Sequence, residues 1–374
     1  MNSQTNFRYE ILDALRGIAA LSVLCYHLFE GIAFASGNST QEMYHGFLAV
    51  DFFFILSGFV MGHAYDRRWK EMSAKEFVLQ RIIRLHPMVV MGVLFGIVAF
   101  LAQGCTRWDG TEMTLSSICW ASILALLLIP SPACTDLRGN TEMFPLNGPH
   151  WSLFFEYIGS FCYAFLLRRL SDRKLTLWVL ASALALAFNG FWQGEGMIAY
   201  GWSVEPANAL GGALRLSFGY PAGLLMARFF RKHQPQTLQI PVFTLCSIAL
   251  LILLCVPYLG KAGLFYQLCC IFVAFPLLIW WGARGKKQGF GQKSARFLGR
   301  LSYPLYAIHY PLIYLYIHWI NTDSSPFGKM PWCTPVALFV IAVTIAIVFM
   351  LFYDEPLRKT LSSYLKKSKK STSF

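Results

Sequence analysis

The sequence has few charged residues, and this scarcity excludes an ordinary water-soluble domain. Charged side chains make up 14% of the 374 residues, whereas apolar residues make up 56% and aromatic residues 16%. A soluble domain carries about 25% charged residues, which it needs to cover a water-facing surface. Repeated long apolar runs instead predict an all-α, polytopic membrane protein. The net charge is +13, and the Lys and Arg residues that produce it flank these runs. This distribution indicates how the chain is oriented in a membrane, and not nucleic-acid binding.

The chain also lacks the usual signs of a metal site and of a cleaved leader. Its ten cysteines include no CxxC pair and no Cys/His cluster with metal-ligand spacing, so we expect no metal. Cys105 and Cys134 share one connection and would form a disulfide only on an oxidising side. No small-residue cleavage site follows the first apolar run, so we expect that run to remain in the mature protein. No soluble domain is expected after the last apolar run.

Ten apolar stretches are predicted to be transmembrane helices, and residues 115–130 are predicted to be a re-entrant or interfacial segment. With ten spans, most of the 32 Lys and Arg residues fall on one side. The positive-inside rule makes this side cytoplasmic, with both chain termini on it. The predicted spans are 11–33, 46–65, 77–102, 149–168, 175–191, 207–229, 239–258, 262–282, 301–320 and 333–353. They form a transmembrane domain, 1–355, followed by a basic cytoplasmic tail, 356–374, whose last residues, KKSKKSTSF (366–374), we expect to be disordered at the anionic inner leaflet.

The first span, LDALRGIAALSVLCYH, carries a cation and an imidazole inside an apolar run. Arg16 and His27 are eleven residues apart, about three helical turns, so both project from one face roughly 16 Å apart. Asp13 lies on the same side and is placed to steady the guanidinium. Charged groups at membrane depth usually face the protein interior and have a function. The alternative is a helix-packing histidine with an arginine that reaches the membrane surface.

Two further spans carry polar groups of the same kind. The second span begins AVDFFFILSGF, where burial disfavours a charged Asp51 unless a cation pairs with it. Its Ser57-Gly58 step permits close approach of another backbone or of a ligand. The third span contains RIIRLHP, in which Arg81 and Arg84 are one turn apart and able to converge on one anion. Helix packing and ordinary positive-inside anchoring are the alternatives.

Two later spans complete the set of intramembrane polar groups. The fourth opens GPHWSLFFEYIG, with Trp151 at the boundary and with Ser152 and Glu156 on one helical face. A structural ion pair of Glu156 with the intramembrane Arg215 is the alternative there. The ninth span opens GRLSYPLYAIHYP and places Ser302, Tyr306 and His309 on one stripe, with packing as the alternative.

With these five motifs in this order, the chain resembles the acyltransferase-3 family of integral membrane O-acyltransferases. The resemblance extends over nearly the whole chain, from about Phe7 to Glu355. The resemblance implies transfer of an acyl group, usually acetyl, from cytoplasmic acyl-CoA to a carbohydrate hydroxyl at the outer side of the membrane. Many relatives carry a soluble esterase-like domain after the last span, and this chain is expected to need a partner protein for any such step. Envelope-biosynthesis proteins are the expected partners, besides the lipid bilayer.

Roles for individual residues follow from the resemblance and from the chemistry of acyl transfer. The resemblance matches His27 to an essential histidine, and an imidazole exchanges protons near neutral pH, as a general base must. Glu30 is a candidate for orienting that ring. The predicted catalytic residues are His27, Asp51, Ser152 and Glu156. The predicted acyl-CoA-binding residues are Arg16, Arg81, Arg84, Ser57 and Gly58. The predicted acceptor-binding residues are Trp151, Tyr306 and His309.

Three alternatives stay open on the sequence alone. A proton-coupled transporter or flippase would use Asp51, Glu156 and His27 as a proton relay. A non-catalytic membrane scaffold would not depend on His27. Within the enzyme class, the acceptor is a cell-envelope or exported glycan or, alternatively, a small lipophilic molecule or a lipo-oligosaccharide. The residues do not distinguish direct transfer from transfer through an acyl-enzyme.

Overall fold

The computed structural model describes residues 9–35, 43–194, 196–238, 240–285, 291–324, 326 and 332–371. In these ranges the regular structure is helical, with isolated β-bridges and no β-strand, which confirms the all-α class. The helices are α1 (Glu10–Ala35), α2 (Ala49–Tyr65), α3 (Ala74–Ala102), α4 (Leu115–Leu126), α5 (His150–Phe165), α6 (Asp172–Gln193), α7 (Pro206–His233), α8 (Val242–Leu254), α9 (Gly263–Cys269), α10 (Phe275–Ala283), α11 (Gly291–Ile308), α12 (Tyr310–Asn321), α13 (Cys333–Phe349) and α14 (Glu355–Ser371).

Each predicted span coincides with one or two of these helices, and the described ranges contain six helices long and apolar enough to cross a membrane. The remaining four predicted spans correspond to the shorter α5 and α8, to the less apolar α7, and to α11 with α12, which are separated at His309. The chain is therefore a polytopic membrane protein, and its count of ten spans stays a prediction. The six helices are Glu10–Ala33, Gly46–Tyr65, Ala74–Ala102, Asp172–Gln193, Gly260–Ala283 and Cys333–Leu365.

The segment predicted to be re-entrant or interfacial contains the short helix α4. Its 12 residues extend for about 18 Å, less than the hydrocarbon core of about 30 Å, so α4 is too short to cross. The helix ends where Leu128 takes a left-handed backbone conformation, shortly before Pro130. Cys105 and Cys134, on either side of this segment, are both free thiols.

The predicted disorder at the end of the tail is wrong for residues 366–371, which belong to α14. Leu357, Leu361 and Leu365 recur every fourth residue and form its half-buried face, a periodicity that favours a packed helix. Ion pairs between Arg300 and both Glu355 carboxylate oxygens, at 2.5 and 2.7 Å, tie the start of α14 to α11. Some residues on which these predictions depend lie outside the described residues. They are 1–8 of the predicted domain, 372–374 of the predicted tail, and Lys329, which the charge count puts on the opposite side from the termini.

Helices α2 and α7 cross in direct backbone contact, and two glycines permit this. A Cβ atom on Gly58 would lie 2.0 Å from the carbonyl oxygen of Tyr220, and one on Gly223 would lie 1.9 Å from that of Ile55. Any side chain at these positions would force the helices apart. Gly58 therefore faces α7, and its role in the structure is helix packing, whereas the sequence predicted contact with the acyl donor.

The same two helices are joined by a buried ion pair between Asp51 and Arg215. The guanidinium donates to both carboxylate oxygens, at 2.9 and 2.7 Å, and also to the carbonyls of Tyr200 and Phe47. The two side chains are 2% and 1% exposed, and the ring of Trp151 covers the guanidinium at 5.3 Å. Arg215 thus pairs with Asp51, and the alternative pairing with Glu156 is wrong.

We predict that Asp51→Asn, by leaving the Arg215 charge buried and unpaired, lowers the free energy of unfolding by about 3–5 kcal/mol. The double variant Asp51→Leu with Arg215→Met removes both charges and should recover most of this loss. Chemical unfolding in detergent micelles measures both. A single variant as stable as the parent protein would contradict a structural role for the pair, and a stable double variant without activity would favour the catalytic role predicted from the sequence.

Candidate active site

A cavity of about 860 Å³ lies between α1, α2, α3, α5, α11 and α14. Along α2 it extends from Val50 to Tyr65, a distance of roughly 22 Å at 1.5 Å per residue. Six cationic side chains line it against three carboxylates, so its walls carry net positive charge. The cations are Arg16, Arg68, Arg84, Arg300, Arg358 and Lys359, and the carboxylates are Asp13, Glu156 and Glu355.

The cavity brings together half of the residues predicted from the sequence. Those on its wall are Arg16, Ser57, Arg84, Ser152, Glu156 and Tyr306. Those placed elsewhere are His27, Asp51, Gly58, Arg81, Trp151 and His309. Sequence analysis gave no role to Arg300, Arg358 or Lys359, because their position in a basic stretch gives no sign that they face a cavity.

The two arginines of the RIIR motif point in different directions, although they are one turn apart. Arg81 is buried and donates to Glu156 at 2.7 Å. Ser57 also donates to that carboxylate, at 3.4 Å. Arg84 faces the cavity and, among the described residues, has no hydrogen-bond or ion-pair partner. The pairing of Arg81 with Glu156 cancels the carboxylate charge on the wall and leaves that of Arg84 uncompensated.

Arg16 joins α1 to α11 at the cavity wall. Its Nε donates to Ser302 at 3.0 Å, and its Nη2 donates to the carbonyl of Gly299 at 3.1 Å. Asp13 lies 3.3 Å from the same guanidinium, as the helical spacing predicted. Because most donors of Arg16 are occupied, this side chain mainly holds α11 in place.

A pair of hydroxyl groups lies at the inner end of the cavity, away from Arg300 and Lys359. Ser152 on α5 and Tyr306 on α11 are 2.6 Å apart. The serine hydroxyl also donates to the carbonyl of Pro149 at 3.0 Å. Hydroxyl donors in a water-poor site are suited to stabilise an oxygen that gains negative charge.

The helix breaks at the junction of α11 and α12, because Pro311 has no backbone N–H. Pro311 cannot donate to Ala307, its partner in a regular helix, so the Ala307 carbonyl would be unpaired. Asn147 donates to this carbonyl at 2.7 Å and His150 Nε2 at 3.2 Å. The buried break fixes His309, whose Nδ1 contacts the carbonyls of Leu305 and Tyr306.

His27 stands beside this junction, held by a carboxylate on its own helix. Its Nδ1 lies 2.7 Å from Glu30 Oε2, which is the contact that an orienting role for Glu30 requires. A neutral ring that donates from Nδ1 carries its lone pair on Nε2, the arrangement of a general base. The ring stacks on His309 with centroids 5.4 Å apart and meets Tyr310 edge-on at 4.6 Å.

Tyr306 and His309 separate His27 from the cavity. The cavity wall includes Tyr306 but neither histidine, and the rings of Tyr306 and His309 are 5.9 Å apart. We call Tyr306 and His309 the partition. Arg16 and His27, predicted to project from one face of the first span, therefore differ in position: Arg16 lines the cavity, and His27 lies behind the partition.

Two tyrosines, Tyr310 and Tyr314, link His27 to the connection that precedes α5. Tyr310 packs on Tyr314 with ring centroids 4.7 Å apart, and the Tyr314 hydroxyl donates to Glu142. Burial raises the pKa of Glu142 to about 7. Arg138 lies over the Tyr314 ring at 3.8 Å.

In the described ranges no group of three or more metal-binding side chains occurs.

Parts of the chain are similar to known proteins. The chain is 30% identical over 187 residues to "Protein 2 in picA locus" of Rhizobium radiobacter, covering 48% of this chain and 93% of that protein. It is 30% identical over 193 residues to acyltransferase MdmB of Streptomyces mycarofaciens, covering 48% of this chain and 45% of that protein. A shorter match, 31% over 93 residues, links it to peptidoglycan O-acetyltransferase OatA of Listeria monocytogenes, covering 23% of this chain and 13% of that protein.

No solved structure matches the chain. A family model described as an acyltransferase domain matches residues 9–351, nearly the whole chain. This match includes every helix that lines the cavity except α14, and it includes His27 with Glu30. It makes the protein an enzyme, in place of the transporter or scaffold that the sequence left open. The chain belongs to the acyltransferase-3 family and is an O-acyltransferase.

Proposed function

We propose that the enzyme transfers an acyl group, acetyl in the simplest case, from acyl-CoA to a hydroxyl of a cell-envelope or exported carbohydrate. The observation that carries the proposal is the position of Arg84, an unpaired cation in a net-basic cavity whose inner hydroxyl groups adjoin an imidazole pair. Such a cavity suits a donor with an anionic end and a neutral thioester end. A volume of about 860 Å³ is within the usual range for sites that hold ligands of this class.

The cavity accommodates the donor with its phosphates at the basic end and its thioester at the Ser152–Tyr306 end. Arg84 binds a phosphate because guanidinium forms paired hydrogen bonds with phosphate oxygens and, among the described residues, no carboxylate is hydrogen-bonded to it. Arg81 acts indirectly, since its bond to Glu156 keeps that carboxylate from repelling the donor. The Tyr306 hydroxyl donates to the thioester oxygen as it becomes negative, and the Ser152 hydroxyl joins it by turning away from the Pro149 carbonyl, to which it donates in this structure.

His27 performs the proton transfer. The acceptor oxygen bonds to the thioester carbonyl carbon while its proton passes to Nε2 of His27, and Glu30 stabilises the resulting imidazolium. The carbon–sulfur bond then breaks, and the thiolate takes the proton from His27 and leaves as CoA. Rotation of Tyr306 away from Ser152 opens the partition and brings the thioester to the imidazole.

The acceptor approaches His27 from the side opposite the donor cavity. Glu30 and His27 are 38% and 15% exposed there, next to Tyr310 and the connection before α5. A relative is named a peptidoglycan O-acetyltransferase, which supports a carbohydrate hydroxyl as the acceptor. The basic end of the cavity faces the cytoplasm of a cell with this protein in its inner or plasma membrane, as the positive-inside distribution favours.

We predict that His27→Ala reduces acyl transfer by about 10²–10⁴-fold, because the base is lost, while folding is retained. Glu30→Gln should reduce it less, since the ring keeps a hydrogen-bond partner. Release of CoA from labelled acetyl-CoA by the purified protein measures both. His233→Ala, at an exposed site near the end of α7, is the control and should have unchanged activity. Turnover retained in His27→Ala would exclude His27 as the base.

We also predict that Arg84→Ala raises the KM for acyl-CoA by about 10-fold or more, because a charge-assisted phosphate contact is lost. The KM for the acceptor should change little. The exposed Arg173→Ala, at the start of α6, is the matched control. Equal losses for donor and acceptor would argue against a phosphate contact at Arg84.

A further inference from the structure

One face of the C-terminal helix forms a wall of the donor cavity. Glu355, Arg358, Lys359 and Ser362 all line the cavity. Their spacing of three, four and seven residues from Glu355 places them on one stripe of α14. This stripe is distinct from the half-buried leucine face that packs the helix, so the two faces have separate tasks.

Two ion pairs fix the position of this wall. Arg300 bonds to both carboxylate oxygens of Glu355, which joins α11 to α14 at the cavity. Arg358 lies 2.5 Å from Asp354, a fully buried carboxylate in the π-helical turn before α14. These contacts orient the basic stripe toward the cavity and make α14 part of the site.

The charges on the stripe are only partly compensated. Lys359 is exposed and has no hydrogen-bond or ion-pair partner in the part of the chain that the structure describes. Arg68, also at the basic end, lies over the Tyr65 ring at 5.2 Å and has no carboxylate partner among the described residues. Together with Arg84, these groups leave a basic site that would bind an anion with several charges. A single carboxylate would not compensate it.

We propose that α14 binds the nucleotide phosphates of the acyl donor through Lys359 and Arg358. This inference rests on the proposed acyl-CoA donor and adds a residue stripe that the sequence motifs do not include. Arg300 precedes Tyr306 by six residues, about 9 Å along α11, so the stripe lies well away from the hydroxyl pair at the thioester end. The stripe thus makes the enzyme select donors that carry the nucleotide over donors that end at pantetheine.

The test compares two donors with and without the nucleotide, acetyl-CoA and acetyl-pantetheine, using the full chain in nanodiscs. Lys359→Ala should raise the KM for acetyl-CoA about fivefold at low salt, with kcat unchanged, and less at high salt because exposed charges are screened. Lys359→Arg should retain wild-type KM. The KM for acetyl-pantetheine should be the same in the parent protein and in Lys359→Ala.

Lys367→Ala is the matched control, because Lys367 is an exposed lysine of the same helix outside the cavity wall, and its KM should not change. An unchanged KM for acetyl-CoA in Lys359→Ala, or an equal rise for both donors, would overturn the role of α14 while leaving the acyl-CoA donor intact. Failure of the parent protein to bind CoA in a direct titration would overturn the proposed function itself, and this inference with it. Arg358→Ala serves as a second variant, with its thermal stability recorded, since it also unpairs Asp354.

Discussion

The arrangement of the site depends on one hydrogen bond that Pro311 cannot make. Its missing N–H leaves the Ala307 carbonyl to Asn147 and His150, which fixes the end of α11 against the start of α5. A buried carbonyl without a partner would cost free energy, so this break is held in one geometry. As a result, Tyr306 faces the cavity while His309, three residues later, stacks on His27. The cavity and the base are thus linked through one helix end.

The intramembrane arginines differ in whether a carboxylate pairs with them, and their roles differ accordingly. Arg215 is neutralised by Asp51, and Arg81 by Glu156, so both hold helices together at membrane depth, where an unpaired charge is expensive. Arg84 alone of these three has no partner among the described residues. An uncompensated cation at a cavity wall is unfavourable when unpaired and favourable once an anion binds, which is the basis of the proposed selectivity for a phosphorylated donor.

Much of this could be predicted from the sequence, because apolar length and helical periodicity are local signals. They placed the helices, the Asp13–Arg16 contact and the Glu30–His27 contact, all of which depend on residues three or more positions apart in one helix. They did not show that Asp51 pairs with Arg215, that Gly58 faces α7, or that Arg81 turns from the cavity, since these depend on packing between distant helices. The wall formed by α14 could not be predicted because its basic residues match ordinary membrane-flanking charge, and a leucine repeat does not by itself show which cavity the neighbouring stripe faces.

In the proposed reaction the acyl donor and His27, which Tyr306 and His309 separate in this structure, must meet. The most direct measurement is a cryo-electron microscopy structure of the protein in nanodiscs with a non-transferable acetyl-CoA analogue. We expect the donor phosphates beside Arg84 and the acyl carbonyl near Ser152, with Tyr306 rotated so that the carbonyl carbon faces Nε2 of His27. A donor bound outside this cavity, or a carbonyl directed away from His27 behind an unmoved Tyr306, would contradict the account.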